Sequence, residues 1–108
     1  MKQEQKELLL KDLCARLPYD VFVNINDIKC VLQPHDISDL IKCNRDIKPY
    51  LFPLSSMTEE QRTSHNFLKH SSYANPIKLV DWYNRNHFDY RGLIPMGSAI
   101  DATGLNIY

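Results

Sequence analysis

Tyr19-Asp20-Val21-Phe22-Val23-Asn24-Ile25-Asn26-Asp27-Ile28-Lys29-Cys30-Val31-Leu32-Gln33 is the stretch on which the fold turns. Tyr19, Val21, Val23 and Ile25 alternate with Asp20, Asn24 and Asn26, and the alternation resumes at Ile28, Cys30 and Leu32. A period of two sends successive side chains to opposite faces of a strand, so the pattern predicts two strands, each with one apolar face. Asn26-Asp27 between them predicts a tight β-hairpin, although Asn-Gly would be the stronger turn signal. Two strands alone are marginal in water, so a third is expected close by. Residues 36–43 are read as that strand, although Ile37, Leu40 and Ile41 also stand at helical spacing. Pro34 closes the second strand.

Working outward, residues 2–17 predict a helix. Leu10, Leu13, Cys14 and Leu17 form its apolar stripe, Glu7–Lys11 and Asp12–Arg16 are pairs four residues apart, and Pro18 ends it. Residues 46–51, with Ile47, Tyr50 and Leu51 at helical spacing, predict a short helical turn stopped by Pro53. Ser56 with Glu59 and Thr58 with Gln61 are overlapping capping boxes that open a helix whose apolar side is only Met57, Phe67 and Leu68, so this helix is expected at the surface. Ser71-Ser72-Tyr73-Ala74 reads as a linker. Asn75 followed by Pro76 starts a last helix running to about His87. Beyond it Gly92, Pro95, Gly97 and Gly104 interrupt any period, leaving Ile100, Leu105, Ile107 and Tyr108 to anchor a tail. The expectation is one α+β domain over 1–108: an N-terminal helix, a small antiparallel β-sheet, two further helices and an extended C-terminal tail.

Composition narrows the function. With 108 residues, 44% hydrophobic and 24% charged, the chain is ordinary globular protein able to bury about two-thirds of its surface. Thirteen basic residues balance thirteen acidic ones, and no third of the chain departs from neutrality by more than one charge. Nucleic-acid affinity rests on clustered Lys and Arg, so this even spread argues against nucleic acid as a partner. No apolar run is longer than Leu8-Leu9-Leu10, which predicts neither a membrane span nor a signal peptide. Cys14, Cys30 and Cys43 are odd in number and form no CxxC pair, which predicts a reducing, cytoplasmic setting with the thiols buried as small hydrophobes.

Two segments, Ile47-Lys48-Pro49-Tyr50-Leu51-Phe52-Pro53-Leu54-Ser55-Ser56-Met57-Thr58-Glu59-Glu60 and Asp81-Trp82-Tyr83-Asn84-Arg85-Asn86-His87-Phe88-Asp89-Tyr90-Arg91-Gly92-Leu93-Ile94, resemble hallmark segments of small uncharacterised proteins of gut Bacteroidetes and their phages and prophages. The resemblance continues through Ala99-Ile100-Asp101-Ala102-Thr103-Gly104-Leu105, covers about the C-terminal half of the chain and extends to the helix at 6–17. It implies an accessory role in a phage or prophage and carries over no activity, cofactor or catalytic residue.

Candidate chemistry is sparse. His65 and His70 are five residues apart, on different helix faces, and the cysteines lack ligand spacing, so no metal site is expected. Neither a G-x-S-x-G elbow nor a glycine-rich phosphate cradle occurs, so no catalytic residue and no cofactor is assigned and the chain is read as non-enzymatic. On the last helix Ile77, Val80, Tyr83, Asn84 and His87 share one arc, read as the core face, and Trp82 points roughly 150° from its centre. Trp82 with His87, Phe88, Asp89, Tyr90 and Arg91 is therefore the candidate interaction patch, rich in residue types that anchor interfaces. The competing account packs Trp82 under the tail and pairs Asp89 and Arg91 with each other or with backbone. The expected function is binding of a protein partner of unknown identity. The alternative is a small nucleic-acid-binding module with stacking surfaces at Tyr19 and Phe22, and an exposed strand edge would also allow a homodimer.

Overall fold

The computed structural model describes residues 2–43, 45–70 and 75–108, with the side chain of Cys43 and the linker 71–74 outside them. The order of elements is α1 (Gln3–Arg16), β1 (Phe22–Ile25), β2 (Ile28–Val31), α2 (Pro34–Cys43), β3 (Ile47–Pro53), α3 (Glu59–His70), α4 (Pro76–Arg85), β4 (Phe88–Asp89) and β5 (Ile100–Asp101). This is an α+β fold with the N-terminal helix first, and its sheet is mixed. β2, β1 and β3 are antiparallel neighbours, while β4 and β5 each add two residues parallel to β3.

The hairpin forms as its alternation predicts. Phe22 pairs with Val31 and Ile25 with Ile28, and both turn residues, Asn26 and Asp27, take positive φ (52° and 67°). That is the requirement of a type I′ turn, and Asn and Asp tolerate it best after glycine. Val21, Val23 and Ile25 point into the core, whereas Ile28 at the edge is 66% exposed. Tyr19 is not on the sheet: it closes the single helical turn Leu17–Tyr19, and its hydroxyl hydrogen-bonds the Asp81 carboxylate.

Two expectations exchange places. Residues 36–43 are helix, not strand, because Pro34 is the first helical residue and Asp36, two further on, accepts a 2.8 Å hydrogen bond from the Gln33 N–H. The third strand is β3, where a helical turn was expected. Its Ile47, Pro49 and Leu51 are buried, and its ladder with β1 ends at Val23–Pro49, the point at which proline has no N–H to give. Past Pro49 the strand changes partners, with Tyr50 and Leu51 beside β5 and Phe52 and Pro53 beside β4.

The larger core gathers Leu9, Leu13, Val21, Val23, Leu40, Ile47, Leu51 and Leu93, so α1 and α2 cover one face of the sheet. The buried face of α1 is Leu9, Asp12, Leu13 and Arg16. The expected stripe is therefore rotated: Leu10 and Leu17 are half-buried and Cys14 is exposed. A second core holds Met57, Trp82, Tyr83 and Phe88, with Phe52, Leu68, Leu79 and Tyr90 packed against it. Of the two capping boxes, Thr58 with Gln61 is realised in both directions (3.2 and 2.8 Å), while the Ser56 hydroxyl turns back to the Pro53 carbonyl. No residue of α3 is buried, as its thin apolar side predicts. Asn75 caps α4 through the Ile77 and Lys78 N–H groups, and the helix ends at Arg85, two residues short of His87. In the tail, Ala99, Ala102 and Tyr108 make the anchoring contacts and Leu105 is exposed.

Candidate functional site

The segment singled out in the sequence is brought together, but most of it faces inward. Trp82 is 8% exposed and stacks on Phe88 (5.4 Å, 21°), and Tyr83 stacks on Tyr90 (5.1 Å, 16°). The arc expected to face the core holds only towards its C-terminal end: Tyr83 and Asn84 are buried and His87 is half-buried, whereas Ile77 is 80% exposed and Val80 is exposed too. The reason is the position of β4 and α3, which approach α4 from the Trp82–Tyr83 side; helical periodicity does not report where a neighbour will lie.

Asp89 is buried and its two carboxylate oxygens accept from the Leu93 and Ile94 N–H groups, both at 2.9 Å, which fixes the chain reversal after β4. Arg91 does not pair with Asp89. It reaches Asp12 of α1 at 2.8 Å, and Asp12 accepts from Arg16 at the same distance through its other oxygen. Arg16 is fully buried and also donates to the Phe88 carbonyl. Both guanidiniums lie against the Tyr90 ring, at 4.6 Å for Arg91 and 5.4 Å for Arg16. One carboxylate thus holds two guanidiniums between α1 and the chain after α4. Such a buried cluster costs heavily if one charge is removed.

His87 takes φ of 62° just past α4. Its ring stacks on Tyr108 at 3.7 Å, and burial, helped by the Arg16 charge, lowers its pKa to about 4. Tyr108 is pushed up to about 12 by burial. Its hydroxyl accepts from the Phe22 N–H (2.9 Å) and donates to the Tyr50 carbonyl (2.7 Å), bridging β1 and β3 beyond the end of their ladder. No family model, curated protein or solved structure matches this chain.

What opens to solvent beside the segment is a furrow between α3 and α4. Thr63, Ser64, Phe67 and Leu68 line one wall, with Trp82 and Arg85 opposite, around about 460 Å³. The furrow continues over Glu60 and Gln61 to Asn86, again past Trp82. The small exposed fraction of Trp82 belongs to this floor, so Trp82 is at once core and lining. Phe67 at the rim is 59% exposed. His65 Nε2 lies 2.7 Å from the Tyr83 hydroxyl, and burial lowers the pKa of His65 and raises that of Tyr83, so both are uncharged near neutral pH and link α3 to α4. Among the described residues no three His, Cys, Asp or Glu side chains converge as a metal site, and no helix is long and apolar enough to cross a membrane.

Phe67 and Arg85 are the residues that sequence reasoning left out of the patch. Phe67 was visible as one of the two large apolar side chains, with Leu68, on a helix otherwise polar, while Arg85 carried no signal apart from its place one turn beyond Asp81.

Proposed function

We propose that the protein is a non-enzymatic binding domain that holds a protein partner in the furrow between α3 and α4, as an accessory protein of phage or prophage type in the cytoplasm of a bacterial host. The observation that carries this reading is Phe67, a large apolar side chain left exposed on the rim of a furrow floored by Trp82. Aromatic side chains in partly desolvated clefts are the residues that anchor interfaces. Glu60 and Arg85 put opposite charges towards the two ends, which suits a helical or extended segment with a central apolar anchor, a cation on one side and an anion on the other.

Affinity capture from the native host with the intact chain tests this. Phe67→Asp is expected to leave the melt unchanged and to abolish capture of the specific partner, whereas Ile77→Asp, at a still more exposed apolar residue outside the furrow, leaves capture intact. A partner retained equally by both variants, or lost equally from both, removes the furrow as the binding surface.

A further inference from the structure

β2 is an outer strand of the sheet, with β1 on one side and no strand on the other among the described residues. Which of its backbone groups are free follows from the hairpin. The Leu32 N–H donates to the Val21 carbonyl (2.9 Å), so alternation along the antiparallel pair turns the groups of Ile28 and Cys30 inward as well and sends the N–H and C=O of Lys29 and Val31 outward. Phe22 agrees with that phase: it lies opposite Val31, and its own N–H points the other way, to the Tyr108 hydroxyl. Among the described residues neither outward N–H has a partner. An edge of this kind is a template for another strand, and proteins often guard it with a lysine. Here the Lys29 ammonium is drawn back over the Phe22 ring of β1, 5.5 Å from its centre. Ile28 at the same edge is 66% exposed.

The free groups match a second copy of the same edge in one antiparallel register. An axis at Lys29 sets two lysines opposite each other and Val31 opposite Asp27, whose N–H is taken by the Asn24 side chain (3.1 Å). An axis at Val31 sets Lys29 opposite Gln33, whose N–H is taken by Asp36 (2.8 Å). With the axis at Cys30, Lys29 of each copy lies opposite Val31 of the other, and every outward N–H and C=O of the two residues is used. Ile28 then falls beside Leu32 of the second copy, which covers its exposed side chain. No carboxylate enters the pairing: Asp27 lies beyond its last bond, and Asp36, whose charge reaches Cys30, is held by the Gln33 N–H and the His35 ring (3.2 Å).

We infer that β2 pairs antiparallel with β2 of a second copy of this chain, about a two-fold axis at Cys30, joining the two sheets into one. Because side chains alternate across a strand, this register alone puts Ile28, Cys30 and Leu32 of both copies on the helix-covered side and Lys29 and Val31 on the open side with no lysine directly opposite a lysine.

Sedimentation equilibrium of the intact, reduced protein between about 1 µM and about 1 mM tests the pairing. A monomer–dimer equilibrium is expected, abolished by Val31→Pro and retained by Val31→Thr, since proline removes only an N–H directed away from β1 and is tolerated on an edge strand. Phe67→Asp, in the α3–α4 furrow, should leave the dimer intact. With Cys14→Ser and Cys43→Ser, mild oxidation should trap the dimer through Cys30: directly opposed residues without a shared hydrogen bond stand about 4.5 Å apart at Cα, within the roughly 4.4–6.8 Å of a disulfide. Ile28→Cys, with all three native cysteines changed to Ser, should not trap it although the position is more exposed, because its counterpart lies four residues along the strand, about 14 Å away. In the unaltered chain, amide exchange at Lys29 and Val31 should slow about ten-fold or more across the same concentrations. A protein still monomeric at the top of that range, a dimer that survives Val31→Pro, a dimer lost with Phe67→Asp, trapping from position 28 as efficient as from Cys30, or protection centred on other amides would each overturn the assignment.

Discussion

Lowering the pH from 7 to 4 should cost this fold stability through His87. An unfolded histidine titrates near 6.5, whereas the folded ring, stacked on Tyr108 and facing the Arg16 charge, titrates at about 4. Asp20 is the opposing influence, favouring the proton, and it is outweighed. The folded state therefore refuses a proton that the unfolded chain accepts. The contribution is complete above about pH 6.5, declines as the pH falls and levels off below about pH 4. The gap between 6.5 and about 4 corresponds to about 3 kcal/mol, and screening at a half-buried ring reduces this to about 2 kcal/mol. Urea unfolding followed by Trp82 fluorescence, at intervals between pH 8 and pH 4, measures it. The comparison is with His87→Asn, since asparagine tolerates the positive φ at this position. Carboxylates titrate in both proteins and cancel, so the stability difference between the two should shrink, and then reverse or vanish, by about 2 kcal/mol over that range. Parallel curves would refute the argument that the ring is held neutral by burial.

Asp12→Ala leaves Arg16 buried without its counter-charge and should cost about 3–5 kcal/mol by denaturant melt. Trp82→Ala should cost about 3–5 kcal/mol because the side chain is core as well as furrow floor, while Ile77→Ser on the same helix should stay within about 0.5 kcal/mol; equal losses would mean that the burial of α4 is misassigned. Tyr108→Phe removes the hydroxyl joining the Phe22 N–H to the Tyr50 carbonyl and should cost about 1 kcal/mol, with faster amide exchange at Phe22 as the local signature.

The hairpin, the caps of α3 and α4 and the surface position of α3 were legible because each rests on local chemistry: alternation, a turn that needs positive φ, a side chain two or three residues from the N–H it satisfies. β3 was not legible because both of its faces carry apolar residues. Phe52 packs into the second core and the Tyr50 hydroxyl accepts from Asn24 on the face away from Ile47 and Leu51, so the period of two is masked and Ile47, Tyr50 and Leu51 imitate a helix. Pro34 carried two meanings, strand end and helix start, and only the Asp36 hydrogen bond to Gln33 decides for the helix. Asp12 and Arg16 read only as a pair four residues apart because their partners Arg91 and Phe88 are more than seventy residues away in sequence. The burial of Trp82 rests on nearer neighbours, Phe88 and α3 rather than the tail, and helical periodicity does not report their approach to α4.

β3 gives Ile47 and Leu51 to one core and Phe52 to the other, and it pairs with β1, β4 and β5 within seven residues. A slip of one residue would therefore turn both cores inside out at once and break three pairings together. Partially folded forms that keep one core intact gain little, since the strand they must order already commits the other. Folding should accordingly be all-or-none, with a slow search set by the distance in sequence between β3 and the segments that complete it. The interior of this small chain thus behaves as a single melting unit despite containing two separate apolar clusters.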